Sequence, residues 1–322
     1  MLALIRLAAS NALHRAGLLH AMAWFRRRVR RERVLILSFH CVSEPAGRYF
    51  RDGMNIDRDD FAALLDGLGR HYRFAGLQEA MCGGAESKSG RATVVVTFDD
   101  AYRSVYDHAY PVLRERGIPA TLFVPTDYID GGRLLWWDQV QQRWPEDANA
   151  RVDRLKYSPQ DVRDDELADL PNAGGDLMMS WDEIRELAEN GFEIGSHSAS
   201  HPYLDGLTGD ALKAELERAH EAIDREVGVA PRSFAYPDGR FNDTVVAELK
   251  RLGYTCAVST VTGSNRADAD PFKLKRHDCS QSFGRRFSFA IAWAELLGLW
   301  DTMFLRRRRN PERYTTYRPS VS

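Results

Sequence analysis

The chain has 322 residues, 44% of them hydrophobic, enough to enclose a sizeable core and close to the upper limit for one domain. Lys and Arg total 44 against 46 Asp and Glu, so the formal net charge of −2 excludes a global field of the kind that draws nucleic acid. Four cysteines, Cys41, Cys82, Cys256 and Cys279, stand far apart without C-x-x-C spacing. Neither a thiolate zinc site nor a disulfide framework is indicated, and reduced, mostly buried thiols are expected.

Residues 1–33 are rich in arginine, opposed only by Glu32. Asn11, His14, Arg15 and His20 interrupt the stretch before Ala21-Met22-Ala23, which therefore fails as the apolar region of a secretory signal. The segment reads as a loosely amphipathic basic helix that either lies on an anionic membrane surface or covers the domain. A cytoplasmic protein touching the inner membrane face is the corresponding expectation.

From residue 34 onward, apolar runs alternate with helix-period segments, the pattern of successive β-α units in a parallel sheet or barrel. Strands are predicted at 34–39, 72–77, 93–98, 120–124, 192–196, 233–236, 256–260 and 272–276. Between them, Phe61, Leu64, Leu65 and Leu68 form one helical stripe, and Ser180-Trp181-Asp182-Glu183 is a capping box whose helix stops at Gly191. Further helices run through Leu212, Leu216 and Ile223 to Gly228, and from Val245 to Leu252. The acidic stretch at about 130–178 reads as an irregular lid or insertion, too long for an ordinary connection. The domain is bounded at 34–284. Residues 285–322 read as a C-terminal helix and a basic tail, with Glu295 and Asp301 arguing against a membrane span.

Three segments carry chemistry. The strand Thr93 to Phe98 ends in Asp99 and Asp100, and two neighbouring acids share a pocket comfortably only when a cation neutralises one of them. A helix N-cap pair is the plainer alternative. His197-Ser198-Ala199-Ser200-His201 follows another strand and sets two imidazoles four positions apart, within reach of one metal ion. The spacing is that of H-E-x-x-H, but Ser198 stands where the glutamate would be, and Pro202 disfavours α-helical backbone at His201. Imidazole and carboxylate without thiolate suit zinc, and also cobalt, nickel or manganese. Finally, Ser233 to Tyr236 runs into Pro237-Asp238-Gly239, where the ladder must stop because proline has no amide to donate.

With these segments in order, the chain resembles the polysaccharide deacetylase family, the NodB-homology or carbohydrate esterase family 4 proteins. Thr97-Phe98-Asp99-Asp100 is similar to the first family motif, His197 to His201 to the second, Phe234 to Gly239 to the third, and Leu37-Ser38-Phe39-His40-Cys41-Val42 to the first-strand motif of short bacterial members. The resemblance implies an α/β fold, a distorted (β/α) barrel with seven strands, and a site at the strand C-termini. It assigns Asp99 as general base and Asp100, His197 and His201 as metal ligands. Tyr236, Pro237, Asp238 and His40 would face substrate or oxyanion, and His277, in Leu274-Lys275-Arg276-His277, is the expected general acid.

Two departures from the pattern stand out: Ala235 replaces an arginine that orients the base in many members, and Asp238 replaces a tyrosine. The function implied is a metal-dependent hydrolase removing N-acetyl groups from an N-acetylhexosamine within a poly-, oligo- or lipid-linked saccharide. An O-acetyl esterase, a non-sugar amidase and a catalytically silent carbohydrate-binding homologue are the alternatives.

Overall fold

The computed structural model describes residues 12–13, 16–18, 32–43, 54–82, 92–130, 133–156, 158, 160–168, 176–266 and 268–279. The basic N-terminal segment, but for those few residues, and the C-terminal helix and tail therefore lie outside the described residues. Among the described residues no helix is long and apolar enough to cross a membrane. Cys41, Cys256 and Cys279 are buried.

Seven parallel strands close a barrel: β1 (Glu32–Phe39), β2 (Thr93–Phe98), β3 (Ala120–Val124), β4 (Glu193–Ser196), β5 (Ser233–Ala235), β6 (Cys256–Thr262) and β7 (Leu274–Asp278). Each pairs with the next in chain order, and β7 returns to β1 to close the ring. The strand expected at 72–77 is reduced to Arg73–Phe74, a parallel addition to the start of β2. The last strand begins at Leu274, two residues later than predicted. Asp270 delays it, since its carboxylate accepts from the Phe272 amide at 3.0 Å and its carbonyl from the Lys273 amide at 3.0 Å.

Strands buried on both faces read as continuous apolar runs, which is why Thr93 to Phe98 is buried throughout. Along β1 and β2, Leu35, Leu37, Val94, Val96 and Phe98 point outward to the helices, while Val34, Ile36 and Val95 point inward with Phe123, Val258 and Leu274. These inward residues plug the lower barrel. Room for the Phe123 ring depends on Gly195, where an added Cβ would come within 2.6 Å of it. Above the plug the same inward rows continue as polar groups, so the alternation that builds the core also aims the site.

The helices covering the barrel are α1 (Arg58–Gly69), α2 (Leu77–Cys82), α3 (Tyr110–Arg116), α4 (Trp136–Arg143), α5 (Ala148–Lys156), α6 (Gln160–Leu167), α7 (Trp181–Glu189), α8 (Gly209–Val227) and α9 (Asp243–Arg251). The predicted stripe on α1 is fully buried against the outer core, worth roughly 1.5–3 kcal/mol per large apolar side chain. The capping box of α7 is formed, with the Ser180 amide donating to Glu183 at 2.8 Å and the Glu183 amide donating to Ser180 Oγ at 3.2 Å. Gly228 ends α8 in the left-handed region at φ 78°. The stretch expected to be irregular at 130–178 instead folds into α4, α5 and α6. Its buried positions Trp137 and Val140, then Ala148, Val152 and Leu155, follow helical spacing inside a highly charged segment and build a separate small core with Tyr102 and Met178.

Candidate metal centre and catalytic pocket

Asp100, His197 and His201 converge at the C-terminal mouth of the barrel. One ligand atom from each lies within 4.8 Å of the others, and all three side chains are buried. Asp100 Oδ1 stands 3.5 Å from His197 Nε2 and 3.7 Å from His201 Nε2. Successive strand residues face opposite ways, yet both carboxylates reach the site because Asp100 and Ala101 adopt left-handed backbone at φ 71° and 56°. Such strain, about 1–3 kcal/mol per residue, is concentrated at functional sites. His201, ahead of Pro202, is likewise left-handed at φ 55°.

The donor chemistry fits a divalent cation. Among the described residues, Oδ1 of Asp100 is buried without a hydrogen-bond partner, the condition of a ligand atom facing an ion. His197 donates from Nδ1 to the Ala235 carbonyl at 2.7 Å, which fixes the tautomer and leaves Nε2 as a lone-pair donor. Burial pushes His197 down to about 4 and His201 well below its ordinary value, so both imidazoles are neutral near neutral pH. Asp100 is pushed up to about 7, chiefly by burial and further by the Asp99 and Asp138 charges.

This sets a pH dependence. Asp100 must lose its proton to bind a cation, whereas the imidazoles are already neutral, so apparent zinc affinity should fall about tenfold per pH unit from 6 to 5. The slope should steepen near pH 4, where His197 begins to compete. Chelator competition at stepped pH reads this directly. A flat response between pH 7 and 5, or a slope of two beginning at pH 6.5, would contradict the assignment.

Asp99 points into the barrel beside the cluster, and its partner is a residue not anticipated from sequence. Arg276 on β7 donates from both Nη atoms to the two Asp99 oxygens at 2.7 Å each, a fork-to-fork clamp only 3% exposed on the arginine side. Its Nε donates to the Ser259 carbonyl at 3.1 Å and Nη1 also reaches Thr97 Oγ1 at 3.3 Å. Burial alone would raise Asp99, but the Arg276 charge and hydrogen bonds outweigh it and hold the carboxyl well below its usual range. The arginine missing at Ala235 is thus supplied by another strand, while Ala235 itself joins the apolar plug.

The remaining predicted residues separate. His40, just past β1, lines the cavity with Asp99 and Asp100, and its Nδ1 is buried without a partner among the described residues. His277 does not line it. The residue pairs with Leu37, which faces the helices, while its neighbours Arg276 and Asp278 face the cavity. Strand alternation therefore turns the expected general acid to the outside of the barrel.

Tyr236 borders the cavity, but its hydroxyl donates to the Phe272 carbonyl at 3.0 Å and its ring stacks on Phe241 at 4.2 Å, so the phenol is committed to the core. Pro237 opens a one-turn 3-10 helix and does not line the cavity. Asp238, left-handed at φ 54°, does line it and is ion-paired with Lys156 at the end of α5. The extra negative charge expected from Asp238 is balanced in this way.

Supporting contacts tie both ligand loops to helices. The buried carboxylate of Glu215 on α8 accepts from the Ala199 amide at 2.9 Å, the Ser200 amide at 2.6 Å and Ser200 Oγ at 3.1 Å. From the insertion, the Trp137 ring meets His201 edge-on at 4.9 Å, its indole N–H donates to Tyr102 at 2.7 Å, and the Tyr102 hydroxyl donates to buried Asp138 at 2.8 Å. Glu215→Ala should cost about 2–4 kcal/mol, the range for hydrogen bonds to a charged acceptor lost together, and should weaken zinc binding at least tenfold. Thermal unfolding with and without zinc measures both. A variant with normal zinc affinity would show that the loop holds its shape unaided.

A family model described as polysaccharide deacetylase matches residues 86–257. YxkH of Bacillus subtilis (strain 168) is 24% identical over 191 residues, 59% of this chain and 53% of that one. The poly-beta-1,6-N-acetyl-D-glucosamine N-deacetylase of Escherichia coli (strain K12) is 25% identical over 248 residues, 68% of this chain and 32% of that one. The chain thus spans about half of the first and a third of the second. The solved structure of IcaB from Ammonifex degensii shares the fold with a TM-score of 0.58 at 23% identity, covering 82% of this chain and 97% of that one.

Proposed function

Because the chain belongs to the polysaccharide deacetylase family, we propose that it is a metal-dependent hydrolase removing N-acetyl groups from an N-acetylhexosamine-containing saccharide. The observation that carries this reading is the pairing of two differently tuned acids at one barrel mouth. Asp100 sits among two neutral imidazoles, while Asp99 beside it is clamped and ionised by Arg276. Relatives whose names specify an N-deacetylase on poly-beta-1,6-N-acetyl-D-glucosamine support the choice of an amide on an amino sugar.

Asp100, His197 and His201 would hold the cation, zinc being the best match to one oxygen and two nitrogen donors. When bound, a divalent cation supplies Lewis-acid polarisation of the acetyl carbonyl and makes a water more acidic. Asp99 takes the proton of the attacking water, its low proton affinity set by Arg276. The amide at Asp238, where Pro237 ends the strand ladder, is assigned to the developing oxyanion. His40, within the cavity, delivers a proton to the departing nitrogen in place of His277. The C–O bond forms first, leaving the negative charge on the former carbonyl oxygen, and the C–N bond breaks once the nitrogen is protonated, giving acetate and a free amine.

Loss of the arginine at Ala235 would favour a catalytically silent homologue, but Arg276 clamps Asp99 from another strand and removes that ground. Purified full-length protein loaded with zinc or cobalt should release acetate from N-acetylglucosamine oligomers. The same assay on O-acetylated xylan separates amidase from esterase. Stoichiometric metal with no acetate from either substrate would overturn the proposal.

A further inference from the structure

The cavity above the metal cluster, about 400 Å³, extends beyond the catalytic groups to the helical insertion, where Trp136, Lys156 and Asp238 form one wall. We propose that this wall is a second saccharide subsite, taking the neutral pyranose ring that adjoins the N-acetyl sugar. The inference rests on the deacetylase reading for the identity of the reacting sugar.

Trp136 stands edge-on to Trp137 at 5.4 Å, and Trp137 meets the metal ligand His201 at 4.9 Å. The Trp136 indole is therefore one aromatic ring removed from the reaction centre, where the next sugar of a chain would lie. The wall is also rigid. Arg163, 3% exposed, sets its guanidinium against both Trp136 at 5.0 Å and Tyr203 at 5.1 Å. Tyr203 carries a second guanidinium, Arg240, at 4.4 Å, and its hydroxyl donates to the Lys156 carbonyl at 2.7 Å. Tyr203 is thereby a bracket and not a platform: its ring is flanked by guanidinium groups and its hydroxyl is used. Half-buried Trp136, fixed from behind and bordering the cavity, is the surface on which the apolar C–H face of a pyranose can pack.

The polar part of the wall matches the same ligand. Lys156 and Asp238 form an ion pair whose side chains remain 33% and 23% exposed. An ammonium offers only donors and a carboxylate only acceptors, whereas a sugar hydroxyl does both, so a preformed pair can bind neighbouring hydroxyls in one geometry. Mutual neutralisation disfavours a charged ligand here. An aromatic platform beside a donor–acceptor pair is the chemistry of a neutral ring rich in hydroxyls.

Zinc-loaded Asp99→Asn protein, in which acetate release is expected to be slowed at least ~10²-fold, allows calorimetric titration with N-acetylglucosamine and its β-linked trimer. The trimer should bind at least tenfold more tightly than the monosaccharide. Adding Trp136→Ala should reduce that advantage below about twofold, Trp136→Phe should retain part of it, and Lys156→Met, at a half-exposed helix end, should lower it severalfold without disturbing the core. Equal affinity for monomer and trimer, or an advantage surviving both Trp136→Ala and Lys156→Met, would overturn the subsite. Acetate release by the unmodified protein is measured in parallel. Release without a trimer advantage overturns the subsite alone, whereas a Trp136-dependent trimer advantage without release sustains the subsite and overturns the deacetylase reading.

Discussion

Asp99→Asn should lower acetate release on the order of 10²–10⁴-fold, the contribution of a general base, while the protein still takes up stoichiometric zinc. The two halves of this expectation come from different contacts. Asp99 is outside the set Asp100, His197 and His201, so its loss removes a proton acceptor and leaves the ligand atoms in place. The asparagine keeps one oxygen for an Arg276 N–H but turns an amide N–H toward the other, and the buried guanidinium loses its counter-charge. Stability should therefore drop by about 3–5 kcal/mol, the cost of removing one partner from a buried pair. Rates must be compared below the variant's own melting temperature, with metal content measured on the same sample. Release within threefold of the unmodified protein would remove Asp99 from the chemistry.

The parts of this site legible in the sequence are those built from contiguous residues. Thr93 to Asp100 announces a buried strand with two acids at its exit, and His197 to His201 announces a loop whose proline forbids helix; both meanings are local. Arg276 was hidden because its meaning is not local: 177 positions separate it from Asp99, and it became adjacent only when β7 closed the barrel against β1. One signal did exist. Leu274 and Arg276 share a strand face, and a charge on the inward row of a buried strand requires a buried counter-charge. The same alternation would have turned His277 outward and left His40 as a cavity histidine outside the ligand set. The insertion was unreadable for another reason, since charged residues crowd its helices and only scattered apolar positions mark their inner faces.

Arg276→Met tests the claim that the base is positioned and ionised by a strand other than the one bearing Ala235. Methionine matches the volume of the stem without the fork, so Asp99 would remain buried with no cation against it. A loss of about 3–5 kcal/mol in stability is expected, together with a fall in kcat on the order of 10²-fold or more as the carboxylate loses its fixed orientation. The pH profile distinguishes this from simple loosening. In the native protein Asp99 lies well below its ordinary value of 3.8, so the pair's stabilisation is complete above that pH and is lost only as pH falls through the lower folded value. Without Arg276, the largest opposition to burial is gone and the carboxyl rises. Activity, which needs the ionised base, should then fall as pH decreases through the raised value and recover in part toward alkaline pH. Arg276→Lys keeps the charge but not the two parallel hydrogen bonds, so it should restore much of the pH profile and less of the rate. An Arg276→Met variant with the native profile and near-native kcat would mean that the clamp holds the barrel together and does nothing for the base.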